Sequence, residues 1–338
     1  MTGQPETEWT IDRLRHVHRQ LSEYVVRTPT VAWNSPVMSR CFGPETQVHL
    51  KLELWQRTGT FKARAALNNL FAIEGKKRVT AVSAGNHAIA VSYAASVSGA
   101  DAKIVMYSTA NSARVAATES FGAEIVFEAP GPSAFAKAEE LVTAENRVFV
   151  HPFDGPRVTE ATAGVALEIH DDVPDVNAVV VAIGGGGLAG GVAVATKLLR
   201  PGCAVYGVEP AGADVMRQSF QAGEALTLER VDTIADSLAP PMTTEHPFEL
   251  CREHLDDVVT VTDDEMAAAL ALLFSDRKLA VEPACAASTA GLLGPLRERL
   301  SGKRVALIAC GSNIDHELFA STLRRGQEAC RSGALRLA

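Results

Sequence analysis

Short apolar runs alternate with longer amphipathic stretches through most of the chain, and that rhythm leaves few folds open. Runs at 48–54, 79–83, 103–106, 124–127, 178–183, 204–208 and 304–309 are β-branched or apolar almost throughout. They have the length and composition of strands buried on both faces. Helical periodicity occupies the intervals at 63–73, 87–97, 113–121, 134–143, 158–170 and 188–199. Further helices are expected at 11–26, 264–274 and 286–300. Strand and helix in turn predict βαβ units and an α/β fold with a mostly parallel sheet.

The 338 residues, 47 % of them apolar and 21 % charged, suffice for two domains with cores of their own. Net charge is −8 and no basic face is visible, which argues against a nucleic-acid partner. Lys76-Lys77-Arg78, the densest basic spot, follows Glu74-Gly75 as a solvated turn would. The start of the chain is polar and acidic, without the apolar segment of a secretion signal. No apolar run reaches the length of a membrane span. The six cysteines are scattered without metal or redox spacing, so free thiols and a cytoplasmic setting are expected. The sequence stops soon after its last βα unit, so no appended regulatory domain is expected.

Four segments carry the candidate chemistry, each at the junction of a predicted strand and helix. In Lys51-Leu-Glu-Leu-Trp-Gln-Arg-Thr-Gly-Thr-Phe-Lys62, a polar turn delivers Lys62 to a helix start. A lysine there is an ordinary solvated residue unless burial lowers its pKa, when its neutral amine can attack an aldehyde. Ser83-Ala84-Gly85-Asn86-His87 opens another helix, where backbone amides favour a carboxylate or phosphate; a plain helix cap has the same signature. Gly184-Gly185-Gly186-Gly187-Leu188 follows the apolar run 178–183. Its consecutive amides can form an anion nest, and a flexible turn is the alternative. Cys310-Gly-Ser-Asn ends the run 304–309, where a thiol can face a heterocyclic nitrogen or act as a small buried hydrophobe.

In this order and spacing the four segments resemble the fold type II pyridoxal 5′-phosphate enzymes. They are most similar to the serine/threonine dehydratase group, which includes serine racemase. The resemblance runs over about residues 11–320 and implies a tryptophan synthase β-like fold of two open, twisted, mostly parallel sheets flanked by helices. It implies a large cofactor-binding domain of residues 1–75 and 150–338 and a small mobile domain of 76–149. Lys62 would carry the cofactor as a Schiff base and take the substrate's α-proton. Phe61 would lie against the ring and Asn86 would bond its 3′-oxygen. Gly184, Gly185, Gly186, Gly187 and Leu188 would hold the phosphate, Cys310 would face the pyridine nitrogen, and Glu282 would lie near the ring. Ser83, Ala84, Gly85, Asn86 and His87 would surround the substrate, with Ser83 also counted as catalytic. A neutral partner at the pyridine nitrogen makes a weaker electron sink than an aspartate and suits β-elimination.

The implied reaction converts L-threonine or L-serine to a 2-keto acid and ammonia. Alternatives are 3-hydroxyaspartate, a (hydroxy)ectoine-degradation intermediate, β-replacement, and a non-catalytic ligand sensor on the same fold. A second substrate carboxylate would want a cation, and the four segments offer none that is free. Ala84 stands where racemases of the group carry a proton-donating serine, which argues against racemisation. Ile89 replaces a polar residue. Around Glu209 and Ala213 the stretch resembles a divalent-cation loop, but Val215 falls where an aspartate is expected and Asp214 is one place off, so a cation is doubtful. Residues 236–248 are expected to line the side-chain space. His16, His18, His151 and His246 are read as surface or satisfied core residues. A homodimer or homotetramer is a family expectation.

Overall fold

The computed structural model describes residues 8–75 and 77–335. The polar start 1–7, Lys76 at the expected domain boundary and residues 336–338 lie outside the described residues. In chain order the strands are β1 (Thr30–Ala32), β2 (Gln47–Lys51), β3 (Arg78–Val82), β4 (Asp101–Tyr107), β5 (Glu124–Glu128), β6 (Val148–Phe149), β7 (Ala178–Ala182), β8 (Ala204–Pro210), β9 (Asp257–Val261) and β10 (Arg304–Ile308). They form a six-stranded sheet ordered β1-β2-β10-β7-β8-β9 and a four-stranded sheet ordered β5-β4-β3-β6. Every pair is parallel except β1 with β2. All five residues of β7 are buried, as required of a parallel strand covered on both faces. The six-stranded sheet takes chain from both sides of the four-stranded one.

Parallel strands gather their C-terminal ends on one edge, and ligands of open α/β sheets bind there. Lys51, Val82, Ala182 and Ile308 end β2, β3, β7 and β10, so the four motif segments all begin at such ends.

Three expected elements differ. The span 286–300 breaks into Pro283–Leu293 and Arg297–Leu300, because Gly294 is followed by Pro295, which has no amide hydrogen to continue the helix. The first helix stops at Leu21, and the Gln56 side chain instead holds Val26 through both its amide (2.7 Å) and its carbonyl (2.8 Å). The strand expected over 48–54 ends at Lys51 and tightens into a 3-10 turn at Glu53–Trp55. The segment 236–248, expected to line the side-chain space, runs into the helix Glu245–His254. Helices Pro36–Phe42, Val215–Ala222 and His316–Ser332 and strands β1, β6 and β9 have no counterpart in the expected list.

A buried ion cluster lies beneath the turn after β2. Lys51, Glu53, Arg64 and Glu168 are each at most 1 % exposed. Arg64 forks between the carboxylates of Glu53 (2.8 and 2.9 Å) and Glu168 (2.8 and 3.0 Å). Lys51 Nζ reaches Glu168 at 2.5 Å and donates to the Thr28 carbonyl. Two cations balance two anions, which is the condition for burying charge at all. The cluster ties both ends of the Lys62 turn to the helix Pro156–Asp172. Glu168→Gln leaves two buried cations sharing one carboxylate, a loss of about 3–5 kcal/mol. The midpoint of urea unfolding is expected to fall accordingly, and an unchanged midpoint would contradict the cluster's role.

Candidate active site

The turn bearing Lys62 is stitched to the segment after β10. Phe61 N donates to the Cys310 carbonyl (3.2 Å) and Ser312 N to the Gly59 carbonyl (3.0 Å). Asn313 Nδ2 donates to the Thr58 carbonyl at 2.8 Å. Gly59 has φ +73°, and a side chain there would collide with Asn313. Lys62 therefore starts its helix at a fixed place. Its Nζ donates to the Pro152 carbonyl at 2.5 Å and lies 5.2 Å from the Phe61 ring centre. Burial lowers its pKa to about 8 against the opposing pull of Cys310 and Glu282. A substantial neutral fraction is thus present in mildly alkaline water.

The Ser83–His87 segment faces Lys62 from the end of β3. Ser83 Oγ accepts from Gly85 N at 3.1 Å, and the helix Asn86–Ser98 begins directly after. Asn86 Nδ2 donates to Glu282 (2.9 and 3.1 Å) and Ser237 (3.1 Å), while its Oδ1 accepts from Asn313 at 2.9 Å. His87 is buried and neutral, its pKa pushed down to about 3 by desolvation and the nearby Lys62. Its Nε2 bonds the Val150 carbonyl at 2.8 Å. A carbonyl only accepts, so the ring proton sits on Nε2 and Nδ1 is the atom left to accept.

The four glycines after β7 fit between bulky neighbours. Gly185 packs on the Phe153 ring, and a Cβ on Gly187 would collide with the Phe153 backbone. Gly186 has φ +94°, and a Cβ there would lie 2.7 Å from Met216 Cε. The carbonyls of Gly185, Gly186 and Gly187 are taken by Thr243, Cys251 and Thr162. Among the described residues no backbone acceptor meets the amides of Gly184, Gly185 and Gly186. The loop therefore has its carbonyls engaged and three amides available for an anion, with Leu188 entering the following helix.

Cys310 ends the β10 segment, 4 % exposed. Its contact with Cys285 and its burial raise the thiol well above the ordinary value, so it is a neutral hydrogen-bonding group. Glu282 joins this group by donating its backbone N–H to the Gly311 carbonyl (3.3 Å), and burial lifts its carboxyl to about 7.

Lys62, Asn86, Glu282, Cys310 and the glycine loop thus surround one region. Three residues of that region lie outside the recognised segments or their expected roles. Arg114 at the head of helix Ser112–Ser120, Asp236 in the 3-10 turn Asp236–Leu238, and Asn313 meet beside Ala84. They border a cavity of about 230 Å³ whose walls include Ala84, Ala110, Ile314 and Leu318. Arg114 is a cation at the site, which the motif segments alone did not offer. The signal for it was positional, because its helix follows the C-terminal end of β4. His151 is also built in. Its Nδ1 accepts from Asp154 N (2.9 Å), holding the turn that presents the Pro152 carbonyl and the Phe153 ring.

Glu209 is buried at the start of a helix. Its two oxygens accept from the amides of Met216 and Arg217, both at 2.8 Å, and cap the helix Val215–Ala222. Asp214 turns to Arg217 and Gln218, and Ala213 is buried. Among the described residues no three His, Cys, Asp or Glu side chains are grouped to hold a metal ion. No helix among them is long and apolar enough to cross a membrane.

The family model described as pyridoxal-phosphate dependent enzyme matches residues 21–311. A phenylserine dehydratase of Ralstonia pickettii is 49 % identical over 84 % of this chain and 88 % of its own. An L-threonine ammonia-lyase of Thermotoga maritima is 36 % identical over 94 % of this chain and 79 % of its own. The crystal structure of a T.th. threonine deaminase superposes with a TM-score of 0.85 at 34 % identity, covering 91 % of this chain and 99 % of that one.

Proposed function

The chain belongs to the pyridoxal-phosphate dependent enzymes, among their ammonia-lyases and dehydratases, and from that premise we propose that it dehydrates and deaminates a β-hydroxy amino acid, with 3-phenylserine as the preferred substrate. One observation carries the chemistry: a lysine amine lowered to about 8 stands at the same strand ends as three open glycine amides and a neutral buried thiol.

The residues fit the cofactor. Gly184–Gly187 and Leu188 would hold its phosphate, Lys62 its aldehyde carbon, Cys310 its ring nitrogen and Asn86 its ring hydroxyl, with Phe61 and Glu282 alongside. Bound there, the cofactor supplies a sink for the electrons released at the substrate's α-carbon. The chain does the rest. Backbone amides of Ala84 and Asn86, at a helix start, and the Ser83 hydroxyl, which can still donate while its oxygen receives Gly85 N, would hold the substrate carboxylate. Neutral Lys62 Nζ takes the α-proton, and its place against Pro152 fixes the face of approach. Ala84 carries no proton for the opposite face, so elimination is favoured over racemisation. The β-hydroxyl leaves as water, and the enamine so formed tautomerises to an imine that hydrolyses to a 2-keto acid and ammonia, phenylpyruvate in the case of 3-phenylserine.

The substrate preference is supported by the similarity to the phenylserine dehydratase and by the partly apolar wall of the cavity beside Ala84, where Ala110, Ile314 and Leu318 stand among Thr109, Asn111, Arg114 and Asp236. L-threonine and L-serine, first in expectation from the motifs, form the second reading, favoured by the similarity to the L-threonine ammonia-lyase. Burying an aryl ring in such a wall is worth about 2 kcal/mol, or a factor of ~30 in kcat/KM. Keto-acid release from 3-phenylserine, L-threonine, L-serine, their D-forms and 3-hydroxyaspartate tests this. An advantage of about that size for 3-phenylserine is expected. Faster release from L-threonine would return the preference to the second reading.

A further inference from the structure

Arg114 has no part in the chemistry proposed above, yet it is only 9 % exposed at the seam between the two sheets. Its helix follows β4 of the four-stranded sheet. Its partners belong to segments flanking the six-stranded sheet. Both terminal nitrogens clasp the Asp236 carboxylate. Its Nε donates to the Asn313 carbonyl at 3.1 Å, and Nη2 lies 3.7 Å from Glu282 Oε2. Three residues earlier, Asn111 Nδ2 donates across the same seam to Asp315 at 2.6 Å. On its other side the guanidinium lies against Gly85, where a Cβ would stand 3.0 Å from Nη1.

We infer that Arg114 is a positioning residue that bolts the four-stranded unit onto the six-stranded one and thereby sets the Ser83–Asn86 backbone at its working distance from Lys62. This rests on the site proposed above. The planar fork satisfies an anion and a carbonyl at once while its flank supports Gly85, a combination no lysine reproduces. The Asp236 side chain keeps 55 % of its exposure, so opening the seam returns that carboxylate to water rather than stranding it. The bolt is therefore reversible, as a site that must admit substrate requires.

The test compares the holoenzyme with Arg114→Gln, Arg114→Lys, Asp236→Asn and the Arg114→Gln/Asp236→Asn double variant. Arg114→Gln is expected to raise KM by about tenfold or more, with the visible absorption of the bound cofactor unchanged. Amide hydrogen exchange in residues 83–86 and 112–120 is expected to speed up without substrate present. Arg114→Lys should recover part of the loss, and the double variant should be no worse than the poorer single variant. Unaltered exchange and KM in Arg114→Gln, or losses that multiply in the double variant, would overturn the inference. So would loss of the cofactor in Arg114→Gln, which would make Arg114 a cofactor ligand. Exchange is read without turnover, so an error in the assigned substrate leaves this test standing.

Discussion

Lys62→Ala is expected to lower keto-acid release by about four orders of magnitude or more. Alanine removes the base and the group that would anchor the cofactor, so the purified variant should also lose the cofactor's visible absorption. The fold should survive, because Lys62 Nζ makes a single hydrogen bond, to the Pro152 carbonyl, and the ion cluster beneath its helix is intact. Steady-state turnover, absorption and the far-ultraviolet circular dichroism of the same preparation separate these effects. Unchanged turnover with a normal fold would contradict the role given to this lysine.

Gly187→Ala should be the most damaging single methyl group added at the phosphate end. Its Cβ would fall on the Phe153 backbone, which cannot swing aside as a side-chain tip can. Phe153 belongs to the turn whose Pro152 carbonyl receives Lys62, so a shift there moves both the proposed phosphate cradle and the amine. A displacement near 1 Å costs about 100-fold in a positioned site. Cofactor affinity, from titration of the apoprotein followed by absorption, should weaken by about that factor. Gly202→Ala, at a position with open space around it, serves as the control and should leave affinity unchanged. Equal affinities in the two variants would show that the loop is not the cradle.

Much of the fold was legible because the parallel strands are nearly continuous apolar runs and the helices between them keep their periodicity. Errors fell where two local signals compete. The apolar period of residues 286–300 runs across Gly294 and Pro295, and the missing amide of proline decides the outcome against the helix. After β2 the alternation of apolar residues continues through Leu54, yet the backbone leaves the strand for the 3-10 turn Glu53–Trp55, where Glu53 meets the buried Arg64. The four motif segments were legible as strand ends followed by helix starts, the positions at which α/β sheets present ligands. Arg114 and Asp236 were not, because 122 residues separate them and neither sits in a run with its own signature. The cavity proposed for the substrate shares that problem, since its walls come from residues near 84, 110, 236 and 314. In the stretch that resembles a cation loop, the Glu209 carboxylate caps a helix, a contact its sequence neighbourhood did not announce.

Borohydride reduction of the holoenzyme followed by peptide mapping tests the central claim most directly, because it fixes the cofactor to whichever amine carries it. A single modified peptide is expected, with the added mass on Lys62. Modification of another lysine, or a holoenzyme that reduction leaves unlabelled, would contradict it.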